Sequence, residues 1–161
     1  MQITLLIFII MCFFSNSTSS ASTTNDNTKN ILSSGKDVPT YIQQQLTSTD
    51  ILVFSRTRCI HCMQNCITVK KLLHKHKRKY NYSWKVLELD ELQGTTDGPM
   101  IQNYLMKTTK KKMVPHVFIK GKFVGGSKRL QVLFSKPEEL ELLLLGGRDD
   151  DKAEGFVKQE L

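Results

Sequence analysis

The sequence is poor in cysteine and proline, short of acidic residues, and without a long hydrophobic run. Its four cysteines are Cys12, Cys59, Cys62 and Cys66. A structural zinc centre needs about four ligands, usually a second Cys pair or a His pair. Only Cys59 and Cys62 have that spacing, and His74 and His76, two residues apart, lie on different faces of a helix. The scarcity therefore weighs against structural zinc. The almost wholly apolar stretch Ile3 to Phe14 is too short to cross a bilayer as a helix. There is no internal repeat. Asp and Glu number 15 against 23 Lys and Arg, for a formal net charge of +8 over 161 residues. That length suits one domain with a real core. The basic excess is local, in Lys70, Lys71, Lys75, Lys77, Arg78 and Lys79, and in Lys110 to Lys112.

Against these absences stands Cys59-Ile60-His61-Cys62, which directly follows the apolar run Ile51 to Phe54 and precedes a helical pattern. Where a strand turns into a helix, unpaired backbone N–H groups and the positive end of the helix dipole stabilise a thiolate. The thiolate is the form that attacks disulfides. A second cysteine one turn on can close a disulfide and release the product. The motif favours redox chemistry over a metal site or a plain structural role.

The two ends read as addresses. The apolar stretch at Ile3 to Phe14 suits a signal-peptide core, with cleavage expected near Ala21 and residues 1–21 removed; a short membrane anchor is the competing reading. Cleavage would remove Cys12. The last four residues, Lys158-Gln159-Glu160-Leu161, resemble the K-D-E-L retrieval signal. Together the ends predict the lumen of the endoplasmic reticulum. In that compartment Asn81-Tyr82-Ser83 is a glycosylation sequon, and Asn16-Ser17-Thr18 is a second that leaves with the signal peptide.

Residues 22–35 are rich in Ser, Thr and Asn and read as a flexible linker, with the domain expected over 36–145 and a flexible tail over 146–161. Lys36 to Ser48 reads as an amphipathic helix, Ile51 to Ser55 as a buried strand, Met63 to Lys79 as a helix and Trp84 to Leu89 as a strand. Gly94 to Gly98 breaks the chain. Met100, Ile101, Tyr104 and Leu105 then recur at helical spacing. Val117 to Ile119 and Lys122 to Val124 flank Lys120-Gly121 as a hairpin. A last helix is expected over Leu130 to Leu145, with Pro137 inside it or dividing it. A leading βαβ unit gives a parallel pair, and the hairpin adds antiparallel strands to one mixed sheet.

In this order and spacing, Val53 to Cys62, Val86 to Asp90, Ile101 to Leu105, Val114 to Gly121 and Gly125-Gly126 resemble the glutaredoxins. The resemblance runs from about Ile51 to Leu145. It implies an α/β, thioredoxin-like fold: a mixed four-stranded sheet flanked by helices. It also implies a thiol–disulfide oxidoreductase with glutathione as cosubstrate. Carried over by position, Cys59 would be the nucleophile and Cys62 the resolving cysteine. Pro115 would be a cis-proline, a form that costs an X–Pro bond only about 1 kcal/mol. The Val114 main chain would pair with the cysteinyl part of glutathione as an added strand does. Arg56, Gln102 and Lys112 would hold its glycine carboxylate. Gly126 and Ser127, opening the last helix, would bind the γ-glutamyl carboxylate.

The chain departs from the family pattern at four of these positions. Ile60 stands for proline, His61 for an aromatic residue, Met113 for threonine and Lys128 for an acidic residue or serine. Lys128 can hold the γ-glutamyl carboxylate but repels its ammonium. His61, Arg58 and Arg56 each favour the Cys59 thiolate. Expected partners are glutathione and glutathionylated or disulfide-containing proteins, with no nucleic acid, no stable membrane anchor and a monomeric state. Two rival activities are a two-iron two-sulfur cluster held between two subunits, which the loss of the loop proline allows, and an oxidant or isomerase of secretory disulfides. Cys66 reads as a small buried core residue rather than a third redox group. The lysines around α-helical residues 70–79 read as a solvated face rather than a nucleic-acid patch.

Overall fold

The computed structural model describes residues 30–146. The expected signal peptide, its cleavage point, Cys12 and the terminal tetrapeptide lie outside them. The elements are α1 (Val38–Thr47), β1 (Ile51–Ser55), α2 (Met63–Tyr80), β2 (Trp84–Glu88), α3 (Asp97–Thr109), β3 (His116–Ile119), β4 (Lys122–Gly125), α4 (Ser127–Ser135) and α5 (Pro137–Leu145). The sheet order is β2-β1-β3-β4. β1 and β2 are parallel, whereas β1–β3 and β3–β4 are antiparallel. The crossover through α2 enforces the first relationship and the tight hairpin the last.

Every residue of β1 and β3 is buried, because both strands are central and both sheet faces are covered. Side chains alternate between the faces. Leu52, Phe54 and Phe118 enter one core with α1 and α3, while Ile51, Val53, Val117 and Ile119 enter the other with α2, α4 and α5. Phe54 and Phe118 meet edge to face, with centroids 5.7 Å apart. Lys120 and Gly121 both have positive φ, at 49° and 80°, the geometry that a two-residue hairpin turn requires.

Two boundaries differ from the sequence reading. Residues 31–35 were expected in the linker, yet Leu32 is buried and the Ser33 N–H and hydroxyl both donate to the buried Asp97 carboxylate, at 2.9 and 2.5 Å. One apolar side chain in a polar stretch suffices to dock it on the α3 N-terminus. Asp97 and Gly98, expected in a break, open α3 itself. A Cβ on Gly98 would meet the Leu89 carbonyl oxygen at 1.8 Å, so glycine here lets the helix approach the end of β2. Pro137 divides the last helix, with Lys136 between α4 and α5.

The basic face of α2 is largely exposed, with Lys77, Arg78 and Lys79 in the last turn, where cations complement the helix dipole. Lys70 is drawn off to Glu88 at 2.5 Å. Asn81, the sequon asparagine, is exposed at the left-handed cap of α2. Among the described residues, no helix is long and apolar enough to cross a membrane.

Candidate active site

The buried strand β1 delivers the chain to Arg56, Thr57 and Arg58, and then to Cys59. Asp90, just after β2, holds this loop. Its carboxylate accepts the N–H groups of Thr57 at 3.0 Å and Arg58 at 2.7 Å, and the Thr57 hydroxyl at 3.1 Å. Burial opposes ionisation of Asp90, but these donors outweigh it and hold its carboxyl below the usual range.

Cys59 and Cys62 are joined by a disulfide, their Cα atoms 5.3 Å apart, inside the range such a bond requires. Cys62 caps α2, and its N–H points at the Cys59 sulfur at 3.2 Å. The Met63 N–H donates to the Cys59 carbonyl at 2.8 Å. No acidic residue lies in the first turn of α2. The field at Cys59 Sγ is therefore that of an unopposed helix N-terminus, which favours a negative sulfur. The two sulfurs differ in access. Cys62 is 1% exposed, whereas Cys59 is half-buried. An incoming disulfide reaches Cys59, with Cys62 behind it. Arg58 and His61 are exposed on the rim of the loop, and Ile60, at 88% exposure, projects furthest. Cys66 is a buried free thiol in the core beneath.

Val114 and Pro115 precede β3, and the peptide bond between them is cis. They line a cavity of about 520 Å³ together with Gly126, Ser127 and Lys128. A Cβ on Gly126 would stand 3.2 Å from the Pro115 carbonyl oxygen, so glycine keeps the α4 N-terminus close to the proline. Five of the sequence-derived binding positions thus share one wall. Gln102 and Lys112 meet elsewhere: the Gln102 side-chain amide donates to the Lys112 carbonyl at 3.2 Å. Arg56 Nε and Gln102 Oε1 are buried polar atoms without a partner among the described residues. Lys112 is exposed, and it is Lys111, not Lys112, that lines the cavity.

The glutaredoxin family model matches residues 51–124. The glutaredoxin of Ricinus communis is 36% identical over 108 residues, which is 67% of this chain and 95% of that protein. The chain belongs to the glutaredoxin family. Human mitochondrial glutaredoxin-2 is 35% identical over 86 residues, 53% of this chain, and the chain spans about half of that relative's length, 46%. The crystal structure of a buckwheat glutaredoxin–glutathione complex superposes with a TM-score of 0.53 at 30% identity, covering 66% of this chain and 86% of that one. Glutaredoxins are thiol–disulfide oxidoreductases, and the fold is their thioredoxin-like one.

Within this glutaredoxin domain, four site-shaping residues escaped the sequence reading: Asn65, Asp90, Lys111 and His116. Asn65 Oδ1 accepts from the Ser127 hydroxyl at 2.9 Å, tying α2 to the α4 N-terminus at the cavity wall. A lone asparagine in a helix carries no signal of that contact. His116 is fully buried after the cis-proline, and its Nε2 meets the Lys111 carbonyl at 2.9 Å. Burial pushes the imidazole pKa down, against the smaller upward pull of that carbonyl. The neutral ring therefore fastens the lysine loop to β3. The available signal was position: a polar residue in a central strand has no solvent face to use.

Proposed function

We propose that this protein is a glutathione-linked thiol–disulfide oxidoreductase acting in the secretory pathway. The Cys59 thiolate attacks the glutathionyl sulfur of a protein–glutathione mixed disulfide. The old disulfide breaks, the protein thiolate leaves and takes up a proton, and Cys59 becomes glutathionylated. A second glutathione thiolate then attacks that bond, releases oxidised glutathione and restores Cys59. In the dithiol branch, Cys62 displaces glutathione and forms the Cys59–Cys62 bond.

One observation carries this reading: the accessible Cys59 sulfur receives the Cys62 N–H at a helix start that holds no acidic residue. Arg56, Gln102 and Lys112 are assigned to the glycine carboxylate. The orphaned Arg56 Nε, a donor, supports an anionic ligand on that side. The Val114 main chain beside Pro115 is assigned to the cysteinyl unit, and Gly126, Ser127 and Lys128 to the γ-glutamyl carboxylate at the α4 N-terminus. Arg58 and His61 are assigned to thiolate stabilisation. The test is turnover of a glutathione mixed disulfide by the purified protein, coupled to glutathione reductase. Saturable turnover supports the reading; a rate equal to the uncatalysed one refutes it.

The luminal assignment rests on the two end sequences, Ile3 to Phe14 and Lys158 to Leu161. Deleting Lys158 to Leu161 from the full chain should send it to the medium. Equal retention of both forms would remove the tetrapeptide from the account.

A further inference from the structure

The cavity beside Pro115 has one-sided electrostatics. Lys111, Lys128 and Arg129 line it, and no acidic side chain among the described residues does. Arg129 is paired outward with Glu139. Lys111 and Lys128 are exposed, and among the described residues neither forms an ion pair. The α4 N-terminus, which forms the same wall, has no side-chain cap at Gly126 and no acidic residue in its first turn. The only side-chain amide oxygen in the lining, Asn65 Oδ1, already accepts from Ser127. Among the described residues, the pocket therefore offers two unpaired cations and a helix start to a carboxylate, and no side-chain anion to an ammonium.

Glutathione places both groups at its γ-glutamyl end. From this cavity we infer that the α4 subsite prefers an anionic acyl group without an ammonium: among cysteinyl disulfides it favours those carrying a carboxylate but no free amine on the N-terminal side over glutathione itself. An Asp or Glu side chain near a cysteine within a polypeptide meets this description, because its α-amine is an amide. The inference rests on the glutathione-linked reading above and narrows its substrate class. The subsite reads the carboxylate through Lys128, Lys111 and the N–H groups of α4, and a γ-glutamyl ammonium meets like charge there. Partly exposed charge pairs alter binding by only a few-fold, so the effect is one of preference.

The experiment compares two mixed disulfides made with the same partner thiol. One contains glutathione. The other contains glutaryl-cysteinylglycine, which keeps both carboxylates of glutathione and lacks only the ammonium. With the full protein, kcat/KM for the glutaryl compound should exceed that for glutathione by about three- to tenfold. Lys128→Asp, an exchange that a helix N-terminus tolerates, should reverse the order. Lys75→Asp, which makes the same charge change on the exposed face of α2, should leave the ratio unchanged. A glutaryl-to-glutathione ratio below one overturns the inference, and so does a ratio that Lys128→Asp leaves unmoved. Turnover of neither disulfide overturns both this inference and the glutathione reading. Turnover of glutathione alone overturns only the inference.

Discussion

Asp90 holds the loop that presents Cys59: its carboxylate accepts the Arg58 N–H at 2.7 Å, one residue before that cysteine. The bond joins the end of β2 to the end of β1 across two parallel strands. It places the catalytic turn without using any atom of the turn itself.

Replacing Asp90 with Ala should therefore affect both stability and rate. Hydrogen bonds to a charged group contribute roughly 1.5–3 kcal/mol, so unfolding in urea should report a loss of about 2 kcal/mol. Turnover should fall as well, because the Cys59 sulfur would no longer be held against the Cys62 N–H. Asp90→Asn, which keeps an acceptor, should lie between. An Asp90→Ala protein within about 0.5 kcal/mol of the natural one, the range of neutral surface changes, would refute this role.

Three groups, titrating in two windows, give the fold an acid limit. His116 has its folded pKa pushed below 6.5 by burial. The unfolded chain therefore binds the proton first, and stability present above about pH 6.5 is lost as pH falls through the lower folded value. His76 is lowered in the same sense by burial and by Lys75 and Lys79. Burial opposes ionisation of Asp50, but Lys120 and Ser83 outweigh it and bring its carboxyl from 3.8 to about 2. Its contribution, about 1 kcal/mol after solvent screening, is present above pH 3.8 and lost as pH falls toward 2. Urea midpoints from pH 7.5 downward should fall in these two windows. His116→Gln should shallow the upper one, and an unchanged slope there would remove His116 as its source.

His61 lies on the exposed rim of the Cys59–Cys62 turn, and we propose that its imidazole stabilises the reduced, thiolate form. His61→Tyr should lower the reduction potential by up to ~30 mV, a tenfold change in the equilibrium constant for this two-electron couple. Exposure keeps the effect at the small end. An unmoved potential would make His61 a spacer.

Much of this architecture was legible because local signals agreed. The β1 run is continuously apolar, as a strand buried on both faces must be. Lys120-Gly121 marks the hairpin, and Cys59 to Cys62 falls where that strand meets a helix. What escaped reading depends on contacts between distant segments. Ser33 reaches Asp97 and Asn65 reaches Ser127 across more than sixty residues of chain. Neither pair carries a spacing or a period. Position singled out Lys112 of the three lysines 110–112, whereas the His116 bond to the Lys111 carbonyl, which fastens the lysine loop to β3, carries no sequence signal. Proline at 137 left two outcomes open, and the helix is divided there, with Leu140 of the second half buried in the core.

The division of labour between the accessible and the buried sulfur is the centre of the account, and trapping with serine variants tests it most directly. Cys62→Ser protein, incubated with a glutathione mixed disulfide, should acquire one glutathionyl group on Cys59 and retain a substantial part of the turnover, since the monothiol branch needs Cys59 alone. Cys59→Ser protein should acquire none and lose turnover. Glutathionylation at Cys62 in the Cys59→Ser protein, with turnover maintained, would contradict the assignment.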